Sequence, residues 1–154
     1  MKRITIISVG KKPDGSTASL INNYQKRLAS KFKIDWLYIG SLSGKMSQGE
    51  QIQKESELIK DKVNEQTTIL LDERGQQFDN QQLSQKLIEW QSSSDHLVFI
   101  IGGAYGVSEE LRDSCSCVWS LSKLVFPHQL ARLLLIEQLY RSQTITDGQP
   151  YHHQ

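Results

Sequence analysis

Four groups of residues near the C-terminus are of types that could do chemistry. They are the run Gly102-Gly103-Ala104-Tyr105-Gly106, the trio Pro127-His128-Gln129 with Arg132 one turn further on, the pair Glu137 and Arg141, and the terminal Tyr151-His152-His153. Glycines at a strand end let backbone approach a ligand where a Cβ would collide. Histidine moves protons near neutral pH, and arginine pairs with anions or developing negative charge. Singly, each group has an ordinary explanation: a tight turn, a proline in a first helical turn, a surface ion pair, a frayed end. Delivered together to one edge of a sheet, they read as a ligand pocket with a reactive tail beside it.

The elements that must position them can be read from the sequence. Arg3–Val9, Ile34–Ile39, Thr67–Leu71, His96–Ile101 and Cys117–Leu121 read as strands. Ser16 or Thr17 can cap a first helix carrying Leu20, Ile21, Tyr24 and Leu28 on one face. Gln48–Val63 reads as a polar outer helix with few anchors (Ile52, Leu58, Ile59, Val63). Asp79 followed by Gln82 resembles a capping box, and Ser108 before Glu109 and Glu110 starts a short helix. His128–Gln143 is the last helix, apolar around most of its circumference, so it is either central or turned toward a partner subunit, and it reads as a dimer interface. Its Glu137 and Arg141 stand at i, i+4 in the favourable order. Strands alternating with helices predict one α/β domain over residues 1–154, a mostly parallel sheet with helices on both faces.

Composition narrows the function. The chain of 154 residues has a net charge of +1, which excludes a generally basic RNA-coating protein. The charge is uneven: residues 1–33 hold eight basic side chains and the single acid Asp14, leaving the remainder acidic. That segment could face phosphate, or be a solvated helix face. No apolar run reaches the roughly 20 residues of a membrane span, and the expected location is cytoplasmic. Cys115 and Cys117 lie two apart, a spacing that on a strand points both side chains the same way, yet two ligands do not close a zinc site, so no metal is expected. Gly40–Met46 superficially resembles a phosphate-binding loop. It has three residues between its glycines where the pattern needs four, and Met46 follows Lys45 where a hydroxyl is needed, so it reads as a mobile loop beside the substrate. The glycine run is not a dinucleotide fingerprint either, because Ser122–Phe126 holds no acid to grip a ribose.

The motifs G-G-A-Y-G, S-L-S-K-L-V-F-P-H-Q-L-A-R, L-I-E-Q-L-Y-R and D-G-Q-P-Y-H-H, with K-R-I-T-I-I-S-V-G-K and L-L-D-E-R-G earlier, resemble the RlmH family. These are SPOUT-superfamily methyltransferases of bacterial large-subunit ribosomal RNA. The resemblance spans the chain and is densest from Val98 onward. It implies a C-terminal deep trefoil knot, a rare exception to unthreaded topology, and a homodimer. It also implies S-adenosyl-L-methionine held by Leu71, by Gly102 and Gly103, and by Leu121, Ser122, Lys123, Leu124, Val125 and Phe126. The implied reaction is methylation at N3 of a pseudouridine in 23S rRNA, in the stem-loop that bridges the subunits.

N3 of a pseudouridine is a protonated, weak nucleophile, so a base or donors to the flanking carbonyls would help. Tyr151 and His152 suit the first need, Arg132 or Arg141 the second, with His128 a further candidate near the cofactor loop. The tail Pro150–His153 is expected to close over the site where two subunits meet, with the basic segment of the neighbouring subunit on the RNA. One departure stands out: family members often carry lysine after the glycine of L-D-x-x-G, and here Gln76 follows Gly75. The rival readings are a non-catalytic RNA-binding assembly factor on the same fold and, more weakly, a dehydrogenase-like nucleotide binder.

Overall fold

Ile4, Ile6, Ile7 and Val9 are fully buried, so the first strand is covered on both faces. In the computed structural model, which describes residues 1–42, 44 and 46–153, this strand is β1 (Lys2–Val9). The chain continues through α1 (Gly15–Leu28), β2 (Phe32–Ile39), α2 (Gln48–Lys60), β3 (Thr67–Gln77) and α3 (Asn80–Ser93). It ends with β4 (His96–Ile101), α4 (Glu109–Ser114), β5 (Cys117–Ser120) and α5 (His128–Thr146). The strands form one sheet in the order β2-β1-β4-β3-β5, and every neighbouring pair is parallel. All five C-terminal strand ends therefore lie along one edge. The reading of Lys45 in the glycine-serine loop lies outside the described residues.

The period-two alternation of the strands separates two cores. Ile4, Ile6, Ile69, Leu97 and Phe99 meet residues of α1, α3 and α5, such as Ile21, Leu83 and Leu135. Ile7, Val9, Leu70, Val98 and Ile100 meet Ile59 of α2 and Leu111 of α4. Helix α5 packs against α1, α3, β1 and β4, so it is central on its face. That position accounts for most of its apolar circumference, which therefore carries less weight as a sign of a partner; Leu130 remains exposed.

Several boundaries differ from expectation, each for a local reason. The cap of α1 is Asp14, without a side-chain bond, rather than Ser16 or Thr17. The expected capping box of Asp79 and Gln82 is present, and Ser108 caps α4. Strand β3 runs past Leu71 to Gln77 because its register with β5 shifts between Leu71 and Gln76, after which the strands pair again. Helix α5 runs past Gln143 to Thr146, and within this last turn Thr144 and Thr146 donate their hydroxyls to the Arg141 and Ser142 carbonyls. It stops at Gly148, whose φ of 68° suits a glycine terminator. Cys115 closes α4 and only Cys117 lies on β5, so the two cysteines do not share a strand.

The largest correction concerns α2. Its buried residues are Gln51, Glu55, Ser56 and Ile59, so three of the four are polar. The expected anchor Leu58 is exposed.

Candidate active site at the strand ends

Strand β3 over Leu70–Arg74 and the loops that follow β4 and β5, three adjacent strands, enclose a cleft of about 760 Å³. Leu71, Gly102, Gly103, Leu121, Ser122, Leu124, Val125, Phe126 and His128 line it. Of the residues expected to hold a cofactor, only Lys123 is not part of the lining. Its side chain is exposed.

Gly102-Gly103-Ala104-Tyr105-Gly106 forms a tight turn in which the Gly106 N–H donates to the Gly103 carbonyl at 3.0 Å. Close packing behind the turn requires its glycines. A Cβ on Gly103 would collide with the Glu55 carboxylate, and one on Gly102 would come within 2.8 Å of Val107 Cγ1. On the opposite wall, the N–H groups of Ser122, Lys123, Val125 and Phe126 make no backbone hydrogen bond among the described residues, and that of Leu124 goes to Ser122 Oγ. Apolar side chains beside free backbone donors suit a flat heterocycle with polar edges.

Asp72 and Arg74 also border the cleft. The Asp72 carboxylate accepts from the Arg74 backbone N–H at 2.9 Å and from its guanidinium at 3.0 and 2.8 Å, with Arg112 at 3.7 Å. Burial alone would push the Asp72 pKa up. The hydrogen bonds from Arg74 and the charges of both arginines outweigh it and hold the carboxyl below its usual range.

His128 faces the cleft from the first turn of α5. Burial, and then the charge of Arg132, push its pKa below the ordinary 6.5, with partial opposition from Glu55. The imidazole is therefore neutral at pH 7 and retains a lone pair.

Arg132 is not in the cleft lining. It is buried, and its partners are neutral rather than anionic. Nε donates to Ser8 Oγ at 2.7 Å, Nη1 to the Lys11 carbonyl at 2.6 Å and Nη2 to the Val9 carbonyl at 3.4 Å. The guanidinium lies 4.9 Å from the centre of the Tyr38 ring. Its work is to tie α5 to the end of β1.

Arg141, Tyr151 and His152 form a second cluster. Arg141 donates through Nε and Nη2 to Glu137 Oε1 at 3.0 and 2.6 Å, and its Nη1 lies 3.1 Å from His152 Nδ1. Since a guanidinium only donates, His152 Nδ1 accepts and the ring proton sits on Nε2. The Tyr151 hydroxyl donates to Glu137 Oε1 at 3.2 Å and lies 3.2 Å from the Tyr24 hydroxyl. Burial, the Tyr24 contact and the Glu137 charge all raise the Tyr151 pKa, so its hydroxyl stays protonated. The tail is packed onto α5, with Tyr151 edge-on to Tyr140, rather than frayed. Within one chain it is also distant from the cleft: Arg141 lies more than three turns beyond His128 on the same helix, about 20 Å along its axis.

A family model described as "Predicted SPOUT methyltransferase" matches residues 1–152. The chain is 40% identical to the protein named "Ribosomal RNA large subunit methyltransferase H" of Legionella pneumophila (strain Paris), over 99% of each chain. It is 41% identical to the protein of the same name from Flavobacterium johnsoniae, over 98% of this chain and 99% of the relative. The chain belongs to the RlmH family of SPOUT methyltransferases. A similar fold is seen in a solved structure, "The structure of a probable methylase family protein from Haemophilus influenzae Rd KW20". The two superpose with a TM-score of 0.54 over 98% of this chain and 70% of the other. At 9% identity that likeness is one of fold alone.

For this RlmH-family chain the sequence reading missed Glu55, Gln51, Ser8 and Tyr38. A signal for the first two was present: Gln48, Gln51 and Glu55 recur at helical spacing on one face of α2. Ser8 carried none, because its partner Arg132 is brought in only by the tertiary fold. Among the described residues no three His, Cys, Asp or Glu side chains are grouped to hold a metal, and no helix is long and apolar enough to cross a membrane.

Proposed function

We propose that this chain methylates N3 of a pseudouridine in 23S rRNA, with S-adenosylmethionine as methyl donor, as a cytoplasmic homodimer. The observation that carries the reading is the meeting of β3 and the loops after β4 and β5 at one cleft, backed by full-length similarity to proteins named as ribosomal RNA large subunit methyltransferases. The cleft suits the cofactor: Leu71, Leu121 and Phe126 offer apolar surface, Gly102 and Gly103 offer close backbone, and Ser122, Lys123, Val125 and Phe126 offer N–H donors without a backbone partner among the described residues. When bound, the cofactor supplies an electrophilic methyl group on a positively charged sulfur. The trefoil knot belongs to the same proposal. The chain leaves β5 at the sheet edge, forms the cleft wall and returns as α5 over β1 and β4.

The side chains have distinct tasks in this reading. Placing an attacking nitrogen in line supplies much of the rate. His128, neutral and beside the cleft, accepts the N3 proton. Tyr151 cannot act as a base while protonated; it and the Arg141 guanidinium donate toward the base's carbonyl oxygens as negative charge develops. The distance along α5 means that these donors come from the tail of the second subunit. Leu124, Val125 and Leu130 are exposed apolar side chains, two of them on the cleft wall, and suit a protein contact there. Lys11, Lys12, Lys26 and Lys33, outside the ion pairs found among the described residues, suit RNA phosphate.

The test is mass mapping of rRNA after incubation of subunits and whole ribosomes with the protein and labelled S-adenosylmethionine. One added methyl on a pseudouridine of 23S rRNA is expected. Binding without methylation of either particle would leave the assembly-factor reading standing in its place.

A further inference from the structure

Glu55 is a charged residue only 2% exposed, on a helix with no mechanistic role so far. Its Oε2 accepts the Leu42 N–H at 3.1 Å and the Gln51 side-chain amide at 3.3 Å. Its Oε1 presses against the position a Gly103 Cβ would take, with Val9 Cγ1 alongside. The carboxylate therefore sits directly behind the glycine turn that forms the cleft wall. No arginine, lysine or histidine forms an ion pair with it among the described residues. A buried carboxylate without a counter-ion is costly and favours a cation nearby. Gly103 has no side chain to separate it from whatever occupies the cleft.

We propose that Glu55 sets the charge preference of the cleft, favouring a cationic sulfonium ligand over the neutral thioether left after methyl transfer, while it positions the glycine turn. The inference rests on the cofactor reading above. It assigns that preference to the back of the turn because the carboxylates of the lining are otherwise engaged: Asp72 is paired with Arg74 and Arg112, and Glu73 is exposed to solvent. Methyl transfer removes the charge that Glu55 favours, so the same residue loosens the spent product. The β2–α2 loop is drawn in as well, because the Leu42 N–H is held by the same carboxylate.

The experiment is calorimetry of wild type, Glu55→Gln and Glu55→Asp with S-adenosylmethionine and S-adenosylhomocysteine as probes, with thermal unfolding as a check on folding. The glutamine keeps the size and an acceptor for Leu42 and removes the charge. It should weaken S-adenosylmethionine about fivefold or more, with S-adenosylhomocysteine changed by less than about twofold. The aspartate keeps the charge but draws it back, gives an intermediate ratio, and serves if the glutamine variant does not fold. Equal weakening of both probes means a purely structural residue and overturns the proposal; so does an unchanged ratio. A second readout needs no cofactor: NMR titration of the His128 ring, which faces Arg132 and Glu55. Glu55→Gln should lower the His128 pKa, and no change overturns the proposed field. If wild type binds neither probe at millimolar concentration, the cofactor reading fails by itself, and the His128 titration still judges Glu55.

Discussion

Arg132 on α5 and Ser8 on β1 are joined by a fully buried hydrogen bond of 2.7 Å, from the guanidinium Nε to the serine hydroxyl. This bond and those to the Val9 and Lys11 carbonyls make Arg132 a fastener between the C-terminal end of β1 and helix α5. Arg132→Lys keeps a charge but cannot reproduce the three-way fork. Urea unfolding should show a loss of about 1–3 kcal/mol, the range for buried acceptors left unpaired. Cofactor affinity per folded molecule should change less than about twofold, because Arg132 does not line the cleft. Unchanged stability with lost turnover would return Arg132 to the chemistry.

Two histidines tie stability to pH in one direction. Burial and the charge of Arg3 lower the pKa of His96, and burial and the charge of Arg132 lower that of His128. For a base whose folded pKa lies below its ordinary 6.5, the unfolded chain binds the proton more readily. The neutral-form stabilisation is present above the ordinary value and is lost as pH falls through it toward the folded value. Thermal unfolding should therefore give a lower Tm at pH 5.5 than at pH 7.5, and His96→Gln should flatten that slope. A Tm that rises on acidification would refute the account.

Legibility in the sequence followed the range of the interaction. Short apolar runs between turn signals located all five strands, and Asp79 with Gln82 announced their own capping box, because those signals are local. The wall of Leu121–Phe126 was reached through resemblance; spacing alone had no way to show that β3, β4 and β5 would be neighbours. Helix α2 misled because burial was sought in Leu58, while the cleft required polar groups at Gln51, Glu55 and Ser56 to satisfy loops. Ser56 Oγ accepts the Ser108 N–H at 2.9 Å and Glu55 takes the Leu42 N–H, partners about fifty residues away in one case and in the adjoining loop in the other. The general pairing of arginine with anions does not hold at Arg132, because carbonyls, a hydroxyl and the face of Tyr38 take the anion's place.

Gly75 lies between the two stretches of β3 that pair with β5. A Cβ there would stand 2.5 Å from the Val118 carbonyl oxygen and 2.9 Å from the Trp119 nitrogen, both backbone atoms that cannot rotate away. Gly75→Ala must push β5 from β3 and so move the wall that β5 delivers to the cleft. A destabilisation of about 1–3 kcal/mol is expected, in the range of overpacking, with weaker binding of S-adenosylmethionine. Wild-type Tm and affinity in this variant would mean that the strands separate without cost.

The separation of His128 from Arg141 along α5 makes a stringent prediction about subunits. Removing residues 150–154 should leave S-adenosylmethionine binding nearly intact and abolish turnover, because the tail lies away from the cleft of its own chain. Gly103→Arg should abolish binding, since even a Cβ at that position meets the Glu55 carboxylate. Each variant alone is then inactive. In a mixed dimer, the truncated chain contributes an intact cleft and the Gly103→Arg chain contributes an intact tail, so one complete site forms across the interface. Random exchange of equal amounts makes half of the dimers mixed, each with one working site, so activity should recover to roughly a quarter of wild type. A tail that serves its own cleft leaves every site in the mixture defective and the activity at zero. Sedimentation should accompany the assay, since a stable monomer at micromolar concentration would remove the interface on which this recovery depends.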